Sequence, residues 1–207
     1  MTRKKQILNL KLTLLIGLCT DVLTAHSAVS IHQKLLVTLE QKEGGTVEFH
    51  AIGRPSALRI NGKGAAPQIN LTIENNQVSG VASFSLDTLD TGINLRNTHM
   101  KKKYLETEKY PDSKITFSMF PLPESLSNEN GRADKVPFQG MLLLHGVEKP
   151  VSGLAKIERK SGQVQVSADF GLKISDFGIT SPGFAGITMA EDVQVSVRFT
   201  APINAKP

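Results

Sequence analysis

Tryptophan is absent from this 207-residue chain, tyrosine occurs twice and cysteine once. Each shortage removes a class of function. Surfaces that bind bases by stacking need aromatic platforms, and two tyrosines supply few. A single cysteine, Cys19, allows no intrachain disulfide and no cysteine-based metal site. His32, His50, His99 and His145 have no partner at i+2 or i+4, so metal-ligand spacing is missing too. There is no Gly-x-Ser-x-Gly elbow, no P-loop, no Gly-x-Gly-x-x-Gly after a strand and no His-Glu-x-x-His. Asp87 and Asp90 lie close together, but a strand end and a helix cap account for them without acid–base chemistry. The chain reads as a binding protein rather than an enzyme, with no catalytic residue, no metal and no resident cofactor.

A large excess of one charge is also missing. The formal charge is +5, from 24 Lys/Arg and 19 Asp/Glu. Residues 1–25 hold four of the basic residues (Arg3, Lys4, Lys5, Lys11) and one acid, Asp21, so the remainder carries only +2. That balance gives no reason to expect a nucleic-acid partner. The four basic residues surround an apolar run, Ile7 to Leu18, and small residues follow at Ala25, Ser27 and Ala28. This is the pattern of a secretory signal. The run falls short of the roughly 20 apolar residues that a bilayer span needs, which leaves retention as an anchor as the minor reading. Bulky Leu18 just before Cys19 argues against lipidation. The expected division is a signal over residues 1–28 and one domain over 29–207, periplasmic or secreted.

Period-2 alternation dominates what remains. Val47, Phe49 and Ala51 alternate with polar residues, as do Ile69, Leu71 and Ile73, then Ala82, Phe84 and Leu86, then Ile115, Phe117 and Met119. The longest run is Val164, Val166, Ala168, Phe170, Leu172 and Ile174, and Val193, Val195, Val197 and Phe199 come last. Side chains on a strand point alternately to opposite faces, so each run has one apolar and one wet face. Turn residues separate the runs, at Asn61-Gly62, Asn75-Asn76, Asn130-Gly131, His145-Gly146 and Ser161-Gly162. About eight such strands predict an all-β antiparallel barrel or sandwich. Two segments break the pattern. Thr91 to Leu105 predicts one or two helical turns capped by Asp90 or Thr91. Pro121 to Pro137 reads as a long hairpin loop.

Several ordered blocks carry a resemblance. They are Ser85-Leu86-Asp87 leading to Leu95-Arg96-Asn97-Thr98-His99-Met100, Tyr110-Pro111 through Phe117, Gly140 to Val151 (which includes His145-Gly146-Val147-Glu148-Lys149-Pro150), and Asp176-Phe177-Gly178-Ile179. In this order, over roughly Val47 to Phe199, the chain resembles the YceI-like family. The resemblance implies a lipocalin-like antiparallel β-barrel of about eight strands with one short helical insertion. It also implies a partner: an apolar isoprenoid-type lipid, polyisoprenoid or isoprenoid quinone, held in the lumen. The chain departs from the family pattern at Asn97, where Asp is usual, and at Ile174, where Arg is often found. Ala51 to Gly64 is shorter and lacks the usual phenylalanine-rich mouth.

Candidate lumen residues are Phe84, Leu86, Phe117, Leu142, Leu144, Phe170, Leu172 and Phe177. Arg96 and His99, three apart, would share one face of a helical turn. Arg96 could meet a lipid headgroup, or the pair could tie the helical segment to the barrel rim. His145, beside a glycine, suits turn geometry better than ligation. Lys101-Lys102-Lys103 could touch an anionic membrane surface transiently or simply be solvated. The alternative to a lipid carrier is a filled barrel serving as an envelope interaction or stress-associated module without cargo. Nothing in the sequence fixes an oligomeric state.

Overall fold

The computed structural model describes residues 36–41, 44–54, 59–184 and 187–206. The expected signal, Cys19 and His32 lie outside the described residues. The described residues form one antiparallel sheet. In chain order its strands are β1 (Leu36–Gln41), β2 (Gly45–Arg54), β3 (Arg59–Gly64), β4 (Gln68–Glu74), β5 (Gln77–Ser85) and β6 (Asp112–Pro121). They continue with β7 (Arg132–Leu144), β8 (Val147–Lys160), β9 (Gln163–Lys173), β10 (Gly183–Phe184), β11 (Ile187–Pro202) and β12 (Asn204–Lys206).

Pairing turns this sheet into a closed, eight-membered ring. β11 and β12 are separated only by Ile203. β2 pairs with β11 while β1 pairs with β12, so β1 and β2 act as two halves of one long strand. β3 and β4 act the same way, β3 on β2 and β4 on β1. From β4 the order runs through β5, β6, β7, β8 and β9 to β11, each strand beside its neighbour in sequence. The outer edge of β3 is met by a single bridge, Lys63 to Asp90, and β6 and β7 pair only at Lys114–Thr116 and Met141–Leu143.

The period-2 runs face inward as expected, with one slip. Met119 points out and is 71% exposed. Its φ is +50°, and the β5–β6 register shifts between Val78 and Gly80. This bulge adds a residue on β6 and turns the next side chain, Phe120, inward against Phe117. Gly80, at φ +128°, is required there: a Cβ would sit 2.3 Å from the Asn70 carbonyl oxygen. The predicted loop is also shorter than Pro121 to Pro137, because β7 already begins at Arg132. Pro137 is held inside that strand by a second bulge, between Ala133 and Val136, with Lys135 at φ +56°.

One end of the barrel is filled. Residues 122–131 fold across it, and Leu126, on the short 3-10 turn Glu124–Ser127, is buried among Val136, Ile157 and Val164. Arg159 donates to the Leu126 and Ser127 carbonyl oxygens, and the Leu122 amide donates to the Asn76 carbonyl. Above this plug Phe117, Phe120, Phe138 and Phe170 meet edge to face, with centroids 5.6 to 6.3 Å apart. Such pairs contribute about 0.5–1.5 kcal/mol each beyond the area they bury.

Candidate functional site

The other end is hollow. Above the phenylalanine cluster lies a cavity of about 440 Å³. Its walls come from inward positions of the strands, including Phe49 of β2, Phe84 of β5, Leu142 of β7 and Val195 of β11. The helical insertion forms its rim: α1 (Asn94–His99) runs on into a π-helical turn, Met100–Tyr104. The volume falls within the roughly 300–1,000 Å³ common for small-molecule pockets.

Of the candidates from sequence, Phe84, Leu86, Leu142, Leu144, Phe170 and Leu172 line this cavity, and Arg96 and His99 stand at its rim. Phe117 and Phe177 do not line it. Phe117 sits one layer lower, against Phe120 and Phe138. Phe177 is only 1% exposed on the 3-10 turn Ile174–Phe177, whose curl sends it into packed core while Ile174 faces the cavity. Sequence reasoning missed Phe49, Val193 and Val195 as lumen residues, although alternation already placed them inward. It also missed Ile93, Leu95 and Met100, whose role depends on where the insertion lies over the barrel.

The rim is built by a local network rather than by a helix cap. Ile93 holds the N-cap position and makes no side-chain capping bond. Asp90 and Thr91, the predicted caps, bind Asn97 instead. Asn97 Nδ2 donates to Asp90 Oδ1 at 2.6 Å, while its Oδ1 accepts from the Thr91 amide and hydroxyl at 2.8 Å. An amide can donate and accept at once, which a carboxylate cannot, so the departure to Asn97 suits the partners it meets. The Asn97 amide and the Gly92 N–H hold the Asp90 carboxyl below its ordinary range. Tyr104 closes the rim on the far side, its hydroxyl accepting from the Gly183 amide at 3.3 Å.

His145 belongs to the support beneath this rim. It has φ +51° and Gly146 φ +76°, which gives the tight β7–β8 turn. The ring packs on Tyr110 at 4.5 Å, and Nδ1 lies 3.2 Å from the Phe177 carbonyl oxygen. Nε2 is 2.7 Å from Glu106. One residue thus joins the hairpin, the end of the insertion and the Ile174–Phe177 turn.

Polar groups on the cavity are few. The Thr91 and Tyr104 hydroxyls are taken up by Asn97 and Gly183. The Arg96 side chain is half-buried and has no hydrogen-bond or ion-pair partner among the described residues. Asn97, through Asp90 and Thr91, fastens the helix to the connection that precedes it. Ile174 adds an apolar side chain to the wall. Among the described residues no group of three or more His, Cys, Asp or Glu could hold a metal ion.

Solved structures share this architecture. A polyisoprenoid-binding domain from Saccharophagus degradans, implicated in plant cell wall breakdown, is 16% identical with a TM-score of 0.62, covering 83% of this chain and 100% of its own. BcnA from Burkholderia cenocepacia is 14% identical with a TM-score of 0.61, covering 76% of this chain and 96% of its own. A variant of the Campylobacter jejuni YceI protein is 16% identical with a TM-score of 0.52, covering 72% and 85%. No curated protein matches the chain. Residues 22–201 match the YceI-like domain, and the chain belongs to the YceI-like family.

Proposed function

We propose that this protein binds a long apolar lipid of the isoprenoid type, a polyisoprenoid or isoprenoid quinone, with its chain in the cavity and its polar end at Arg96. The observation that carries this reading is an apolar cavity of about 440 Å³ whose rim holds a cation, the Arg96 side chain, with no partner among the described residues. Removing apolar surface from water drives the binding at about 25 cal/mol per Å², and each buried methylene adds about 0.8 kcal/mol. Chain length therefore dominates affinity, and Arg96 orients the ligand by donating to a carbonyl or phosphate oxygen. The binding function of one structural neighbour, a polyisoprenoid-binding domain, supports the same reading. The hollow upper barrel speaks against a filled, cargo-free module, and the nearly unbroken apolar wall speaks for binding rather than catalysis. The basic, apolar and small-residue pattern of residues 1–28 supports export to the periplasm or beyond.

Native mass spectrometry of protein recovered from its own cell envelope tests this. A retained lipid mass is expected, and repeated recovery of empty protein would overturn the reading. Arg96→Ala should weaken binding of a headgroup-bearing ligand about tenfold, in line with loss of a charge-assisted hydrogen bond. It should leave a bare hydrocarbon analogue unaffected, and its thermal midpoint should not move.

A further inference from the structure

The rim of the cavity has the make-up of a surface that meets a membrane. Ile93 and Leu95 are 49% and 58% exposed, and among the described residues they are the exposed large apolar side chains that also line the cavity. Other exposed apolar residues, such as Met119 and Leu154, lie away from it. From Gly92 to Leu105 the chain has Arg96, Lys101, Lys102 and Lys103 and no acidic residue. Three acids of the same connection are already engaged. Asp87 lies 3.9 Å from Lys101, Asp90 is bonded to Asn97 and Glu106 to His145. Lys102 and Lys103 are exposed, and no acidic partner reaches them among the described residues. Glu108 and Asp112, both exposed, have no ion-pair partner among the described residues.

We propose that this rim docks on an anionic lipid bilayer, with Ile93 and Leu95 inserted at the headgroup boundary and Lys102 and Lys103 against the anionic headgroups. Exposed apolar side chains flanked by lysines are how interfacial segments bind bilayers. Because the two apolar residues are part of the cavity wall, docking opens the cavity directly onto the acyl layer. An isoprenoid chain then passes between bilayer and barrel without crossing water. The choice of a bilayer over an acidic protein rests on the lipid-binding reading above.

The test uses the full chain carrying Cys19→Ser and one new cysteine bearing a polarity-sensitive dye. The cysteine is placed at the rim (Asn94→Cys) or at the closed end (Glu129→Cys). Vesicles of phosphatidylglycerol and phosphatidylcholine, free of isoprenoid, are compared with phosphatidylcholine alone. A blue shift at position 94 with anionic vesicles, and none at 129, is expected; the two positions share one N-terminal segment, so its own affinity cancels. Lys102→Gln with Lys103→Gln should raise the vesicle concentration at half-saturation roughly 30-fold, at about 1 kcal/mol for each basic residue. No shift at 94, an equal shift at 129, or equal binding of neutral vesicles would overturn docking. Since these vesicles contain no cargo, docking can fail while native mass spectrometry still finds a lipid, and the reverse.

Discussion

At the closed end of the barrel Leu126 and Phe138 fill the space between the strands, whereas at the open end Phe84, Leu142 and Leu172 surround a cavity. The inward residues are of the same kinds in both halves. What differs is what lies over each end. Residues 122–131 drop Leu126 into the lumen, while the 86–111 connection arches over the mouth, adding Leu86 and Leu89 to the wall and the rest to the rim. Phe170 marks the boundary, touching Phe138 below and the cavity above. The packed half supplies rigidity and the hollow half supplies a site, so stability and binding should separate under mutation.

The largest separation is expected from truncation. Phe138→Ala removes a buried ring that meets two others edge to face and should cost about 3–5 kcal/mol. Leu172→Ala removes a side chain that already borders empty space, and should cost nearer 1 kcal/mol because few packing contacts are lost. Its effect should fall on ligand affinity instead. Thermal or denaturant unfolding of the two variants checks this, and equal losses would erase the distinction between the halves.

Enlarging a side chain should act in the opposite sense. Val164→Phe forces extra volume into the packed cluster and should destabilise by about 1–3 kcal/mol. Val195→Phe places the same ring in the cavity, where there is room, and should leave stability within about 0.5 kcal/mol while blocking the ligand. A destabilisation of Val195→Phe matching that of Val164→Phe would mean that the cavity closes up in solution.

The inward face of most strands was legible in the sequence because burial on one side leaves a period of 2. Register slips were not. Met119 occupies an inward position by count; its own strand has no glycine or asparagine at the bulge, and the one glycine there, Gly80, lies on the partner strand β5. The division into packed and hollow halves was equally hidden. Phe117 and Phe170 both read as inward phenylalanines, yet only Phe170 reaches the cavity. Phe117 packs with Phe120 and Phe138 in the filled layer and Phe170 borders the hollow above it, a difference in height that alternation does not encode. Phe177 lies out of phase with the alternation of β9 and is turned inward only by the 3-10 turn Ile174–Phe177, which buries it in packed core and not on the cavity. Arg96 and His99 were found because spacing of three is meaningful on a helical turn. The cap was misplaced because Asp90 and Thr91 can bond either to free helix amides or to Asn97, and only the fold chooses.

That choice gives the smallest and most local difference between the two ends. At the closed end Arg159 holds the plug through carbonyl oxygens, an arrangement with no group that takes up a proton in mild acid. At the open end the rim depends on the Asp90 carboxylate, held below its ordinary range first by Asn97 and then by the Gly92 amide. A carboxyl whose folded-state pKa is depressed stabilises fully above its unfolded value and loses that contribution as pH falls through the folded value. The rim should therefore loosen below about pH 4 while the plug stays put. Amide exchange at Gly92 and Asn97, set against Leu122 and Gly131, checks this across an acid series. Asn97→Ala removes the largest cause of the depression, so Asp90 should titrate closer to its ordinary value and the rim should loosen at higher pH. Rim and plug amides losing protection together at the same pH would mean that Asp90 does not govern the open end.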